Sequence, residues 1–278
     1  MRFRLTLESN GQQEVPVNYQ HLVSSWIYRV FGRADKEFSS WLHKRGYVFE
    51  GKRQYKLFTF SHLYIPNVQL DKERQLLQVK SRHCFLTLSF RMEQAAEKFV
   101  TGLFRNQHLY LGNSLKRGDF DVVNVESLSE PTLSETADIR CLSPVCVTKP
   151  QEKNGKLSAR YLSPEDSGFS EAFFNNLINR YVTEAQFHGN GYNIPQYNGL
   201  EWSIKPLASP KSKLIRIKKG TPQETAIRGY VFPFRIQAPA ELIRFGYEAG
   251  FGEKNSLGFG CGEVQEKKDL NSNKMNQT

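Results

Sequence analysis

The chain has 278 residues, and its 38 Lys and Arg against 28 Asp and Glu give a formal net charge of +10. With 39% apolar and 13% aromatic residues it can bury a full core, which excludes a disordered polycation. No stretch approaches the roughly 20 apolar residues of a membrane span, and the first seven residues lack the apolar core of a signal peptide. The four cysteines are too sparse for a disulfide scaffold or a zinc motif. We therefore expect a cytoplasmic protein with no membrane segment, no structural metal and no disulfide framework.

The first half of the chain predicts elements in the order strand, helix, strand, strand, helix, strand, which is the ferredoxin-like unit. Polar and apolar side chains alternate over 2–7, as in a half-buried strand. From Tyr19 to Gly32 apolar residues recur every three or four positions, as in a helix packed on one face, and a shorter helical stretch follows as far as Gly46. The remaining predictions are strands over 56–65 and 76–90 around a turn at 66–71, a helix over 92–105, and a strand over 109–125 interrupted at 116–119.

The same order recurs after a polar stretch that contains Pro131 and Ser134, so we place a domain boundary near residue 130. The second set of predictions is a strand over 139–148, a helix from Ser170, strands across 200–237, a helix from Pro239 and a strand over 259–264. The predicted fold is α+β, with tandem ferredoxin-like domains over 1–130 and 131–266, a central cleft, and a flexible tail over 267–278. A single larger α+β domain is the alternative, because the two halves share a pattern and no visible residue identity.

Two basic runs account for the whole net charge. The first, 44–56, holds five cations and one glutamate, and the second, 205–219, holds six cations and no acid. Charge concentrated in this way predicts a polyanion partner, because each neutralised phosphate releases counterions. The alternative is a pair of solvated loops that keep the protein soluble. The candidate phosphate contacts are Lys44, Arg45, Arg53 and Lys56 in the first run, and Lys211, Lys213, Arg216, Lys218 and Lys219 in the second.

A glycine-rich segment lies between the last predicted helix and the last predicted strand. Six of the 20 glycines fall between Gly246 and Gly262, and a folded protein keeps that many only where the backbone turns tightly. Dinucleotide-binding and Walker loops precede a helix, whereas this segment follows one. It predicts either a cradle of backbone amides for phosphates, to which Lys254 adds charge, or a tight turn with a bulge.

Part of that segment resembles a family signature. It reads Gly250-Phe251-Gly252-Glu253-Lys254-Asn255-Ser256-Leu257-Gly258-Phe259-Gly260, which is similar to the glycine-hydrophobic-glycine, spacer, glycine-hydrophobic-glycine loop of the CRISPR-associated endoribonuclease six family. Segments 17–28, 38–47 and 56–61 resemble the amino-terminal half of the same family. The resemblance implies two ferredoxin-like domains and an enzyme that cuts CRISPR repeat RNA into guide units for antiviral defence, without metal or cofactor. It also makes Gly250, Gly252, Lys254, Asn255, Gly258 and Gly260 candidate RNA contacts.

RNA carries its own nucleophile, because its 2′-hydroxyl can attack the adjacent phosphorus and leave 5′-hydroxyl and 2′,3′-cyclic phosphate ends. A protein then needs only groups that move protons and fixed positive charge beside the phosphate. Histidine suits proton transfer near neutral pH, and of the six histidines His43 lies beside the first basic run. From the residues alone, the alternative for His43 is an ordinary surface or core histidine, and His62 in a predicted strand is the second candidate.

The resemblance assigns three catalytic roles. The family's acid/base histidine corresponds to His43. A second site residue of the family, which polarises or orients the 2′-hydroxyl, corresponds to Tyr28. The alternative for Tyr28 is an aromatic core position on its helix. For the family's lysine we choose Lys52, with Arg53 and Lys56 as alternatives, because the loop before Tyr55 varies in length.

Two other functions fit the same features. A subunit of this fold could hold repeat RNA without cutting it, and a small-molecule enzyme could use the glycine segment for a nucleotide. The expected partner is CRISPR repeat RNA, the precursor of the guides. Hand-off to or association with a CRISPR effector complex and pairing with a second copy of the chain stay open.

Overall fold

A computed structural model describes residues 1–49, 53–113, 116–153, 155–189 and 202–265. Within these residues the helices are α1 (Gln20–Ala34), α2 (Lys36–Lys44), α3 (Glu93–Arg105), α4 (Phe169–Phe187) and α5 (Ala240–Ala249), with a short 3-10 helix at Asn255–Leu257. The strands are β1 (Arg2–Glu8), β2 (Gln13–Pro16), β3 (Tyr47–Phe49), β4 (Arg53–Tyr55), β5 (Phe58–Phe60), β6 (Val68–Asp71), β7 (Leu76–Val79), β8 (His83–Phe90), β9 (His108–Asn113), β10 (Lys116–Ser127), β11 (Thr136–Cys141), β12 (Thr148–Lys153), β13 (Lys156–Tyr161), β14 (Ser203–Pro206), β15 (Lys211–Ile217), β16 (Thr225–Val231), β17 (Phe234–Gln237) and β18 (Gly262–Val264).

The first sheet is antiparallel and has the strand order β5-β8-β1-β10-β9. Alternation along β1 buries Phe3, Leu5 and Leu7, while Arg4, between the first two, stays exposed. Helix α1 buries Val23 and Ile27, and one turn further on Val30 and Phe31. It packs against α3. The predicted strand-helix-strand-strand-helix-strand order of the first half is therefore confirmed.

The second sheet has the order β14-β17-β11-β18, and all of its pairs are antiparallel. Phe234 and Ile236 on β17 are fully buried, as are Phe173 on α4 and Ile243 on α5. The Phe173 ring of α4 packs against the Phe234 ring of β17 at 6.5 Å, while α5 contacts α4 and also β5 and β8 of the first sheet. The chain is α+β with two tandem ferredoxin-like domains. The first sheet ends at Ser127 and the second begins at Thr136.

The turn predicted at 66–71 is wrong in part. Val68–Asp71 forms strand β6, which pairs with β7, and β7 also pairs with β2 in a separate three-stranded sheet. A strand is recognised in a sequence when its apolar residues form one buried face. Val68 and Leu70 are both exposed, so β6 has no such face. The interruption predicted at 116–119 is wrong, because these residues are the first four of β10 and pair with β9.

A buried ion pair network joins the two domains. Arg91, between β8 and α3, donates to Glu184 on α4 at 2.7 Å and to Glu248 on α5 at 2.5 Å. Burial alone would lower the pKa of Arg91, but the two carboxylates outweigh burial and raise the pKa. Arg2 on β1 adds a second link, because its guanidinium donates to the carbonyl oxygen of Gly262 at 2.6 Å. These contacts fix how the domains face each other.

None of the helices within the described ranges is both long and apolar enough to cross a membrane.

Candidate functional site

Two predicted catalytic residues meet where α1 packs against α2. Asp35 caps the start of α2, because its carboxylate accepts from the Phe38 amide at 2.9 Å, and the last turn of this helix carries His43. The His43 ring stands edge-on to the Tyr28 ring of α1, with centroids 4.9 Å apart and planes at 87°. Tyr28 also packs on Phe58 of β5 at 5.8 Å. His43 is exposed and Tyr28 half-buried, so an imidazole is presented to solvent on an aromatic support.

Lys56 completes a group of three. Its ammonium group donates to the backbone carbonyl oxygen of His43 at 3.0 Å. Partial burial lowers the pKa of Lys56 from 10.5 to about 8. Lys52, chosen from the resemblance as the site lysine, lies outside the described residues. Lys56, one of its two alternatives, lies beside His43 in the part of the chain that the structure describes.

The glycine-rich segment packs against the first domain next to these residues. Thr59 of β5 donates from its hydroxyl to the carbonyl oxygen of Phe259 at 2.8 Å. Gly258 has φ +83°, and a Cβ there would lie 2.6 Å from the ring of Phe60. Gly260, at φ +74°, leaves no room for a Cβ beside the carbonyl oxygen of Phe251. The glycines therefore let the segment pack closely, as the tight-turn interpretation requires.

Asn255 holds the segment together from inside. Its amide donates to the carbonyl oxygens of Phe251 at 3.3 Å and Phe259 at 3.1 Å, and its oxygen accepts from Arg180 at 2.7 Å. Asn255 is buried, and so are four of the glycines predicted as RNA contacts, Gly250, Gly252, Gly258 and Gly260. The segment presents Lys254 to solvent, with Ser256 half-buried beside it.

Ser256 was not among the predicted site residues, yet its side chain faces the hydroxyl of Tyr28. Burial raises the pKa of Tyr28 above its usual value of 10.0, and the Ser256 side chain offsets part of that rise. Tyr28 therefore stays protonated at neutral pH and can donate a hydrogen bond. Its position between two glycines of the signature was the signal that could have identified Ser256.

A cleft of about 980 Å³ lies beside this group, between the domains. Strand β4 with the two residues after it, strands β12 and β13, α4 and the glycine-rich segment line it. Lys56 and Ser256 are part of its wall, so the cleft is continuous with the His43 site. Cations outnumber carboxylates on its lining, which includes Arg53, Lys56, Lys149, Arg180 and Lys254 against Glu171 and Glu253. Lys149 was not predicted, because it lies outside the two basic runs.

Residues of the two basic runs occupy different places. Lys44 and Arg45 are exposed at the end of α2, next to His43. Lys211, Lys213, Arg216, Lys218 and Lys219 are exposed on the β15–β16 hairpin and its turn. The Arg216 amide donates to Asn18 at 3.0 Å, at the start of α1. Tyr28 lies ten residues further on, about 15 Å along the helix axis, so the second run is separate from the His43 site.

His62, the second candidate histidine, follows β5 and is largely buried. Burial lowers its pKa to about 4, and the positive charge of Lys213 adds to the effect. Its Nε2 atom has no hydrogen-bond partner in the described structure. His62 is therefore neutral at physiological pH, which limits it as a proton donor.

Across the part of the chain that the structure describes, no three His, Cys, Asp or Glu side chains cluster as they would to hold a metal ion.

Family models match both domains of the chain. The model for the N-terminal part of CRISPR-associated protein Cas6 matches residues 14–125, and the model for its C-terminal part matches residues 128–264. The chain is 29% identical to CRISPR-associated endoribonuclease Cas6 1 of Methanocaldococcus jannaschii, over 99% of this chain and 97% of that protein. It is 27% identical to CRISPR-associated endoribonuclease Cas6 of Pyrococcus furiosus, over 96% of this chain and 91% of that one.

A solved structure of a Cas6-related protein from Pyrococcus furiosus has the same fold, with a TM-score of 0.79 at 22% identity, and the match covers 96% of this chain and 99% of that chain. Together the two family models span both ferredoxin-like domains and the glycine-rich segment between α5 and β18. The chain belongs to the Cas6 family of CRISPR-associated proteins.

Proposed function

We propose that this chain is an endoribonuclease that cleaves CRISPR repeat RNA, using the ribose 2′-hydroxyl as nucleophile and no metal ion. The observation that carries the proposal is the meeting of His43, Tyr28 and Lys56 at one side of a cationic cleft between the domains. The names of the two curated relatives, both endoribonucleases, support the same activity.

In the proposed reaction the 2′-oxygen loses its proton and forms a bond to the adjacent phosphorus. The bond between phosphorus and the 5′-oxygen then breaks, and that oxygen takes up a proton. The products are a 2′,3′-cyclic phosphate and a 5′-hydroxyl, so one proton leaves and one arrives. We assign proton transfer to His43, because it presents an exposed imidazole at the site and histidine is the side chain best suited to general acid and base catalysis.

Tyr28 and Lys56 have different parts in this proposal. Because Tyr28 keeps its proton, it acts as a donor that orients the 2′-hydroxyl rather than as the base. The ammonium group of Lys56 stabilises the negative charge that grows on the phosphate oxygens in the transition state. The hydrogen bond from this ammonium group to the His43 carbonyl oxygen holds the positive charge of Lys56 near the imidazole.

RNA is held by the basic residues around the site. We propose that Lys44, Arg45, Arg53 and Lys254 contact phosphates near the cut, and that the β15–β16 hairpin holds a more distant part of the strand. The buried glycines and Asn255 shape the segment, and RNA meets it through the side chains of Lys254 and Ser256. Association with a CRISPR effector complex or with a second copy of the chain stays a prediction.

The test incubates end-labelled repeat RNA with the protein in EDTA, alongside the same RNA carrying one 2′-deoxy nucleotide at the cut. We expect cleavage in EDTA and none at the deoxy position. Loss of cleavage in EDTA would contradict the metal-free mechanism. Binding without cleavage, by wild type and His43→Ala alike, would instead identify a non-cleaving RNA-binding subunit.

A further inference from the structure

Helix α4 lines the cleft with side-chain amides. Asn175, Asn176 and Asn179 occupy one face of the helix, at the three- and four-residue spacing that brings side chains together. The opposite face carries Phe173 and Leu177, both fully buried in the core. We call the three asparagines the amide ladder.

One atom of the ladder lacks a partner. The side-chain oxygen of Asn176 is buried, and among the described residues no group donates a hydrogen bond to it. Buried polar atoms in folded proteins almost always have a partner. Asn176 as a whole is only half-buried and lines the cleft, so rotation of its side chain would bring this acceptor to a ligand group that donates to it.

The rest of the cleft favours a nucleotide. Arg53, Lys149 and Lys254 bring positive charge for a phosphate backbone, while the Leu157 side chain, 81% exposed, brings an apolar surface for the face of a base. Tyr55 lines the same cleft and offers an aromatic ring. A side-chain amide presents an acceptor and a donor side by side, which matches N6 and N7 of adenine.

We propose that the amide ladder recognises one unpaired adenine of the bound RNA, within a few nucleotides of the cut. The proposal rests on the proposed function for the identity of that RNA. Specific RNA recognition reads single-stranded bases by their edges, so the base that enters this cleft must be unpaired. The ladder thereby adds sequence reading to a site that otherwise contacts phosphates.

The experiment measures binding of the repeat RNA from the array of the same genome, with a 2′-deoxy nucleotide at the mapped cut. Each unpaired adenine is replaced in turn by uracil. For the wild type, one replacement near the cut weakens binding tenfold or more. Asn176→Ala weakens binding of the unchanged RNA by a similar factor and no longer distinguishes adenine from uracil at that position, while its response at the other positions is unchanged.

Two variants serve as controls. Asn176→Leu keeps the side-chain volume without the amide and gives the same loss of discrimination, provided that its melting temperature matches the wild type. Gln186→Ala removes an exposed amide from the same helix outside the cleft and behaves as wild type. An equal loss at all positions in Asn176→Ala, or no adenine preference in the wild type, overturns the proposal. Binding of adenosine monophosphate that depends on Asn176, with no base preference in RNA, also overturns it.

The two proposals fail separately. A wild-type protein that binds with Asn176-dependent adenine preference but never cleaves contradicts the proposed function and leaves the ladder in place. A protein that cleaves but shows no such preference contradicts the ladder alone.

Discussion

The ammonium group of Lys56 is bonded to the backbone of His43 and not to its ring. The donor lies 3.0 Å from the His43 carbonyl oxygen, which every amino acid at position 43 would keep. The imidazole itself stands against the ring of Tyr28. The positive charge and the proton-transfer group can therefore be removed one at a time, each by a substitution that leaves the other in place.

The Lys56 pKa predicts how cleavage depends on pH. Since its pKa is lowered to about 8, Lys56 is mostly charged at pH 7 and mostly neutral at pH 9. The single-turnover cleavage rate of the wild type should fall as the pH rises through about 8. Lys56→Arg, which stays charged, should remove that fall, whereas Lys56→Ala should slow cleavage about 100-fold at pH 7.

The matched control is Lys72→Arg, an exposed lysine between β6 and β7 that should leave the pH profile unchanged. The same alkaline decline in Lys56→Arg and wild type would show that another group titrates there.

Tyr28 supports His43 with its ring and faces Ser256 with its hydroxyl, and two substitutions separate these contributions. Tyr28→Phe keeps the edge-on contact, so we expect an unchanged melting temperature and a cleavage rate reduced about tenfold, by the loss of one hydrogen-bond donor. Tyr28→Ala also removes the ring packed on Phe58 and should lower the free energy of unfolding by about 3 kcal/mol. Urea denaturation and single-turnover kinetics measure the two effects. A complete loss of cleavage in Tyr28→Phe would mean that the hydroxyl takes part in proton transfer.

The close packing of the glycine-rich segment predicts a large difference between two Gly→Ala substitutions at positive φ. Gly11, with φ +87°, has no atom within 4 Å of an added Cβ, so Gly11→Ala should cost about 1 kcal/mol of backbone strain. At Gly260 the added carbon also meets the carbonyl oxygen of Phe251, and the cost should be about 3 kcal/mol or more. Urea denaturation of both variants checks this. Equal costs would contradict the packing of the segment.

Much of the fold was predictable because its elements have one buried face. The helices α1 and α3 and the strand β1 repeat apolar residues at the helical or strand period, and their order identified the ferredoxin-like units. Strand β6 was missed because its apolar side chains are exposed. This strand is stabilised by pairing with β7, and the order of apolar and polar residues within β6 does not show that pairing.

The site was less predictable than the fold. The contact between His43 and Tyr28 depends on how α1 packs on α2, and the family resemblance rather than their spacing proposed the pair. Lys149 lies outside the two basic runs and Ser256 is a spacer residue of the glycine signature, so only the assembled cleft shows what they face. The asparagines of α4 have a helical spacing that is visible in the sequence, but their role depends on the unpartnered oxygen of Asn176.

The ion pair network between the domains predicts a large loss of stability in one arginine variant. Arg91→Ala leaves Glu184 and Glu248 buried without their partner, since these side chains are only 11% and 9% exposed. The expected cost is about 3 kcal/mol or more in the free energy of unfolding. Arg244→Ala removes an exposed ion pair with Glu130 and should cost less than about 1 kcal/mol. Similar urea midpoints for the two variants would contradict a linking role for Arg91.

The central claim is that the His43 imidazole transfers a proton during cleavage. The most direct measurement compares single-turnover cleavage and equilibrium binding of repeat RNA by wild type, His43→Ala and His83→Ala, the last being an exposed histidine on β8. We predict that His43→Ala binds as wild type but cleaves at least about 100-fold more slowly, while His83→Ala is unchanged in both. A His43→Ala variant that folds, binds and cleaves at the wild-type rate would contradict the account.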